Sequence, residues 1–151
     1  AAFPDPNVAS GIDAAIERGL QQGGAEDVTA RFRGPQRCVE FEGGTYLLPT
    51  VIYCADLDHP LANQEYLFPF VSVLDVPAAE LVSSLGPSLV VTALTADPRL
   101  ERELLARADI GRLNLGPVPT TVLQWDQPHE GNLFTHLFQQ RAFQRERFVP
   151  A

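Results

Sequence analysis

Two groups of residues carry side chains of the types that bind metal ions. In a metalloprotease motif, two histidines stand four residues apart on one helix, whereas the two histidines of the second group are seven residues apart. Neither group has a third-ligand pattern, so polar loop residues and helix caps are the favoured interpretation and no metal site is predicted. The first group is Asp56, Asp58 and His59, and the second is His129, Glu130 and His136.

The two cysteines, Cys38 and Cys54, are the next candidates for chemistry. A thiol becomes a good nucleophile when a neighbouring base or cation lowers its pKa, and only Arg37, beside Cys38, could do so here. Buried structural thiols at strand ends are therefore predicted, and no catalytic residue is assigned. Two cysteines do not form a disulfide framework, which favours a reducing, cytoplasmic location.

The glycines do not form a phosphate-binding loop. Gly23-Gly24, Gly43-Gly44 and Gly86 match neither the P-loop nor the Gly-x-Gly-x-x-Gly fingerprint. A helix end and turns are the simpler interpretation.

The charge of the chain limits its partners. The net charge of the 151 residues is -8, and all eleven basic residues are arginines. An acidic surface repels phosphate backbones and anionic lipids, so neither nucleic acid nor membrane is expected as a partner. The arginines form only loose groups, interpreted as solvated surface. The groups are Arg31, Arg33 and Arg37, and Arg141, Arg145 and Arg147.

The elements that must position these residues alternate along the chain. Asp5-Pro6 begins a helix, because Asp caps and Pro initiates helices well, and Gly23-Gly24 ends it. Strands separated by helices predict an α/β fold, a three-layer sandwich with a largely parallel sheet, in a single domain over residues 1–151. The near-apolar strand Ser88–Leu94 predicts cover on both faces. The other predicted strands are Cys38–Phe41, Thr45–Cys54 interrupted at Pro49, Phe70–Val76 and Ile110–Leu115, and the other helices are Leu61–Tyr66 (one turn), Ala78–Leu85, Pro98–Ala108 and Asn132–Phe143.

A series of short motifs resembles the aldehyde dehydrogenase superfamily from about Gly11 to Phe143. Tyr46–Val51 is similar to a Tyr/Phe-x-x-x-Pro-Thr-Val segment, one residue shorter. Ala62–Pro69 is similar to Ala-x-x-Glu-x-Phe-Gly-Pro, and Ile110–Asn114 to a Gly-x-x-x-Asn strand. Pro128–Phe134 stands where a Pro-Phe-Gly-Gly-Phe-Lys motif is usual. The departures are Leu67 for the usual Phe, Phe68 for the usual Gly, and His129-Glu130 for the usual Phe-Gly.

The resemblance implies a C-terminal fragment of a larger catalytic domain that uses NAD or NADP to oxidise an aldehyde to a carboxylic acid. It implies that Glu65 hydrogen-bonds the nicotinamide ribose hydroxyls and that Leu67 packs near the ring. It also implies that Pro117, Val118 and Pro119 line the aldehyde entrance. In the superfamily the nucleophilic cysteine lies further upstream, so the resemblance implies that this chain depends on the upstream remainder of the same polypeptide and is not active alone. It also implies that the complete protein is a homo-oligomer.

A second hypothesis is a non-catalytic oligomerisation or binding domain with the same fold. The substitutions at Leu67, Phe68 and His129-Glu130 favour it. Cofactor binding by the complete polypeptide separates the two hypotheses.

Overall fold

The computed structural model describes residues 1–119 together with Gly131 and Leu137. The chain divides into two compact units, Ala1–Ala78 and Ala79–Ala151. The predicted helix Asn132–Phe143 and the second group of metal-binding residue types lie outside the described residues.

The first unit contains one long helix and two small sheets. One sheet has the order β1-β4-β3 and is antiparallel. The other has the order β2-β5-β6, in which β2 is antiparallel and β6 parallel to β5. The elements are β1 Ala2–Phe3, α1 Pro6–Leu20, β2 Ala25–Asp27, α2 Ala30–Arg33, β3 Cys38–Phe41, β4 Gly44–Leu47, β5 Thr50–Cys54 and β6 Phe70–Leu74.

Helix α1 begins where the sequence predicts and ends at Leu20, shortly before the glycines at which its end was predicted. The Asp5 carboxylate caps its first turn by accepting a hydrogen bond from the Asn7 amide at 2.9 Å. On its inner face Ala9 and Ile16 are fully buried in the core of the unit. The chain leaves the helix through Gly23 and Gly24, both at positive φ, a conformation that costs glycine little.

Pro49 divides the predicted strand Thr45–Cys54 into two strands of different sheets. Strand β4 ends at Leu47 and β5 begins at Thr50. The flanking amides are satisfied by other segments, since Leu48 donates to the Arg37 carbonyl and Thr50 to the Pro69 carbonyl, each at 2.9 Å. Proline has no amide hydrogen to contribute to a ladder, so it suits this junction.

The second unit contains a parallel strand pair with two helices. The Asp97 carboxylate caps α4 through the Arg99 amide at 2.9 Å. Gly111 allows the two strands to approach, because a Cβ there would lie 2.8 Å from the Leu89 carbonyl oxygen. The elements are α3 Leu81–Ser84, β7 Ser88–Ala93, α4 Pro98–Leu105 and β8 Ile110–Leu115, with β7 paired to β8.

Within the described part of the chain, Leu89 is 67% exposed and Leu94 is 75% exposed, so the described residues do not cover both faces of the strand at Ser88. The mixed α/β class is confirmed. Among the described residues two strand pairs are parallel and three are antiparallel, so the predicted three-layer sandwich with a largely parallel sheet is not confirmed. No helix in the described part of the chain is long and apolar enough to span a membrane.

An ion cluster at the centre of the first unit overturns the interpretation of Arg33 and Arg37 as solvated surface. Arg37 is only 5% exposed. Its guanidinium donates to the carboxylates of Asp13 and Glu17 on α1, each at 2.7 Å, and to Asp27 at 3.1 Å. The Arg33 guanidinium also donates to the Asp27 carboxylate, at 2.7 Å. Arg31, in contrast, forms an exposed pair with Glu26, as a surface residue does.

Asp27 is the acceptor that these groups share. Burial by itself raises the pKa of the Asp27 carboxyl. Hydrogen bonds from the Thr29 hydroxyl, Arg37 and the Ala30 amide, with the charge of Arg33, outweigh burial, so the pKa lies below its ordinary value of 3.8. The ionised form is therefore the one that the fold stabilises.

We predict that Asp27→Asn lowers the free energy of unfolding at pH 7 by about 3–5 kcal/mol, the usual cost of removing one partner of a buried ion pair. Because the folded-state pKa of Asp27 is lowered, the ionised carboxylate stabilises the fold fully at pH values above its unfolded-state pKa, about 4. This stabilisation is lost as the pH falls through the lower folded-state pKa, so the difference between wild type and variant should shrink below about pH 4. Urea unfolding at pH 7 and at pH 3 measures both effects.

Glu26→Gln is the matched control, because Glu26 precedes Asp27 in β2 but forms an exposed pair. Its cost should stay below about 1 kcal/mol. Equal effects of the two substitutions, or a difference for Asp27→Asn that does not change with pH, would contradict the role given to the buried carboxylate.

Candidate cofactor-binding loop

A loop of residues 55–69 connects β5 to β6, and it begins with an anchored turn. The Leu61 amide donates to His59 Nδ1 at 3.1 Å, and the Ala62 amide donates to the His59 carbonyl at 2.8 Å. The Ser72 hydroxyl, from β6, donates to the Leu61 carbonyl. The side chain of Leu61 is 2% exposed. The predicted helix Leu61–Tyr66 is thus only a turn at its beginning, and residues 64–66 are irregular.

Beyond this turn the side chains alternate between the core and the surface. Three aromatic rings contact one another here, those of Tyr66, Phe68 and Phe70. The ring centroids of Tyr66 and Phe70 are 4.9 Å apart with an interplanar angle of 88°, an edge-to-face arrangement. The ring centroids of Phe68 and Phe70 are 5.8 Å apart. Such aromatic pairs add to the stability gained from burial. Glu65 and Leu67, which alternate with them, are exposed.

The Glu65 carboxylate therefore stands on a loop held on both sides by buried residues. It forms no hydrogen bond or ion pair with the described residues. An exposed carboxylate can accept two hydrogen bonds from a vicinal diol such as a ribose. Leu67, two residues further along the loop, is 89% exposed and offers an apolar surface to solvent.

Phe68, the departure from the glycine of the dehydrogenase pattern, lies in the core of the unit. Its side chain is 8% exposed and belongs to the same hydrophobic cluster as Leu61. The bulky ring therefore fills space beneath the loop and leaves the outer surface, where Glu65 lies, unobstructed.

The residues predicted at a substrate entrance follow β8 in the second unit. Gly116, at φ 86°, turns the chain, and the Val118 amide donates to the Gly116 carbonyl at 2.8 Å. Pro117 and Pro119 are exposed and Val118 is half-buried. These residues lie beyond the carboxyl ends of parallel strands, the edge at which α/β sheets bind ligands.

The polar loop interpretation of the first metal candidate group agrees with its contacts. The Asp56 carboxylate accepts a hydrogen bond from the Asp58 amide at 2.8 Å, and His59 Nδ1 accepts one from Leu61. Residues 1–119 contain no group of three or more metal-ligand side chains arranged to hold an ion.

Both thiols have environments that disfavour the thiolate. Burial raises the pKa of Cys54, which is fully inaccessible, and burial with the charges of Asp13 and Glu40 raises the pKa of Cys38. The structure also reveals a contact that sequence spacing missed, since His59 Nδ1 lies 3.8 Å from Cys54 Sγ. The signal available in the sequence was the five-residue separation of Cys54 and His59. The turn of the loop is what brings their side chains together.

Comparisons with known proteins place this geometry in a structural class. No protein-family profile matches the sequence, and no curated protein matches it. Among solved structures, it is similar to a cysteine-to-alanine mutant of the P. syringae indole-3-acetaldehyde dehydrogenase AldA in complex with NAD+ and IAA, with a TM-score of 0.59 and 22% sequence identity. The match covers 76% of this chain and 23% of that chain. The fold is therefore aldehyde dehydrogenase-like, and the chain spans about a quarter of the length of the structure it matches.

We predict that neither cysteine behaves as an activated nucleophile. In the Cys38→Ser variant, which retains only Cys54, a disulfide reagent at pH 7.5 should label the folded protein far more slowly than the protein unfolded in guanidinium, because the thiol is buried and its pKa is raised. In Cys54→Ser, labelling of Cys38 should be slower than that of a free cysteine but faster than that of Cys54. Labelling of folded Cys54 at the rate of the unfolded chain would contradict this account.

Proposed function

We propose that this chain is the C-terminal part of an NAD(P)-dependent aldehyde dehydrogenase that oxidises an aldehyde to a carboxylic acid. In this proposal the chain supplies part of the cofactor-binding wall and of the substrate entrance, and an upstream segment of the same polypeptide supplies the nucleophilic cysteine. The chain alone would not catalyse the reaction. The complete protein would be a cytoplasmic homo-oligomer.

The observation that carries the proposal is the exposed Glu65 carboxylate on an anchored loop within an aldehyde dehydrogenase-like fold. Its oxygens have no partner in the described residues, so they need not break a protein contact to accept hydroxyl groups. This suits the ribose of NAD or NADP, with Leu67 as the apolar neighbour. When bound, the cofactor supplies the hydride acceptor for the oxidation.

The proposed entrance uses the loop that follows β8. Pro117 and Pro119 restrict the backbone there, because each fixes its own φ. Their exposed rings and the half-buried Val118 offer an apolar lining for an aldehyde. Asn114, which is 7% exposed, donates to the Thr92 hydroxyl at 3.2 Å and ties the end of β8 to β7.

Exposed apolar side chains on the parallel strands support the larger assembly. Val71 and Val73 project from one face of β6 and are 49% and 44% exposed. Exposed apolar surface of this kind is often a contact surface for other segments or proteins. A three-layer sandwich with a largely parallel sheet, completed by other segments of a longer polypeptide, would cover this surface, and the 23% coverage of the matched dehydrogenase supports such a length.

The alternative is a non-catalytic oligomerisation or binding domain that retains the fold. The same exposed valines of β6 favour it, since an apolar sheet face is a surface on which a protein partner can pack. In that case the carboxylate of Glu65 would have no role in cofactor binding.

We expect Glu65→Gln, in the complete polypeptide that contains this chain, to weaken NADH binding by about ten- to a hundredfold. The estimate follows from hydrogen bonds to a charged group, which contribute about 1.5–3 kcal/mol. Titration of the cofactor fluorescence measures the dissociation constant directly.

Asp58→Asn is the control, because Asp58 is an exposed carboxylate on the same loop. It should leave the affinity unchanged. If both substitutions weaken binding equally, the effect is one of general charge. If Glu65→Gln has no effect, or the complete polypeptide does not bind the cofactor, the alternative domain is favoured.

A further inference from the structure

The Glu65 loop rests on helix α1 through one tightly fitted contact. The Leu61 side chain fills the space beside Gly19: a Cβ at position 19 would lie 2.6 Å from Leu61 Cγ and 2.8 Å from each of its methyl carbons. Real Cβ atoms do not approach other heavy atoms so closely, and Leu61 is too buried to move aside freely. Glycine at position 19 is therefore a condition for seating the loop.

The remainder of the loop fits the helix loosely. An open pocket of about 220 Å³ lies between them; it is lined by Arg18 and Gly19 of the helix, by Gln22 just beyond the helix end, and by Leu61, Gln64 and Tyr66 of the loop. The residues on both sides of Glu65 thus border open space where they face α1. The contact between Leu61 and Gly19 is a close one that seats the start of the loop against the helix, while Tyr66 and Phe68 pack its far end against the core of the unit.

The hydroxyl of Ser72 holds the same residue from the other side. Ser72 lies in β6, paired with Ile52 of β5, and it donates to the Leu61 carbonyl across 11 residues of sequence. The loop is thereby joined to the strand that it enters. Leu61 is the point at which helix, loop and strand meet.

We infer that Gly19 and Ser72 are positioning residues for the Glu65 carboxylate, acting through Leu61 to hold the cofactor-binding loop in one conformation. The inference rests on the proposed function of Glu65. Neither residue needs to contact the cofactor. Loss of either contact should free the turn and spread Glu65 over several positions, which weakens binding by raising the entropy that the complex must lose.

The first test is local hydrogen exchange in the 151-residue chain. The amides of Leu61 and Ala62 are hydrogen-bonded within the anchored turn, so they report its opening. Ser72→Ala should speed their exchange by about tenfold, as expected for loss of one hydrogen bond, and Gly19→Ala should also speed it. Ser72→Thr, which retains the hydroxyl, should restore slow exchange.

Gly11→Ala is the matched control for the helix substitution. Gly11 lies in the same helix, but a Cβ there would meet nothing within 4 Å. The substitution should leave the exchange of the Leu61 and Ala62 amides unchanged. Unchanged exchange in both Ser72→Ala and Gly19→Ala would overturn the inference, whatever the cofactor does.

The second test is NADH affinity in the complete polypeptide. Ser72→Ala should raise the dissociation constant several-fold, with the affinity restored in Ser72→Thr and the thermal midpoint of the whole protein little changed. If Glu65→Gln weakens binding but Ser72→Ala does not, the positioning role is wrong and the proposed function stands. If Glu65→Gln has no effect while Ser72→Ala still speeds exchange, the proposed function fails and the positioning role fails with it.

Discussion

The burial of the Arg37 guanidinium is the constraint on which the first unit depends. A buried charge must be compensated, and three carboxylates from two elements, Asp13 and Glu17 on α1 and Asp27 at the end of β2, provide the compensation. Asp27 is the buried member of the three, with a side chain 6% exposed, whereas Asp13 and Glu17 are partly open to water. The position of α1 against the sheet is therefore specified by directional ion pairs as well as by apolar contacts.

The position of α1 has a consequence for the candidate site. The last turns of the helix carry Gly19, and the loop that presents Glu65 rests on that glycine through Leu61. The ion cluster uses Asp13 and Glu17 in the second half of the helix, and the loop contacts Gly19 in its last turn. A change that rotated α1 would disturb both, so the stability of the unit and the geometry of the candidate site are linked through one helix.

Local signals predicted the elements well, and long-range contacts were beyond them. Asp5-Pro6 set the start of α1, and Pro49 marked the junction between two strands, because both act through their own backbone. Strand β2 has only three residues, too few for an alternating hydrophobic pattern to be detected. One local feature of the sequence could have indicated the ion cluster. Asp13 and Glu17 stand four residues apart on a helix, where like charges repel unless a cation lies between them.

The candidate site was found through resemblance rather than through local chemistry. Glu65 is a carboxylate in a short polar stretch, and only the surrounding motif distinguished it from an ordinary surface residue. The residues that hold its loop, Gly19 and Ser72, gave no signal in sequence because their roles depend on contacts 42 and 11 residues away in the chain. The inward side chain of Phe68 likewise required the packing of three aromatic rings.

We propose that this chain works as one part of a larger dehydrogenase. The most direct measurement is a denaturing gel and intact mass of the protein from its native source, detected with an antibody to this chain. The account predicts a larger species, with a nucleophilic cysteine and a cofactor-binding half upstream of the 151 residues. A species of 151 residues alone would contradict the account and leave a fold without its catalytic partner.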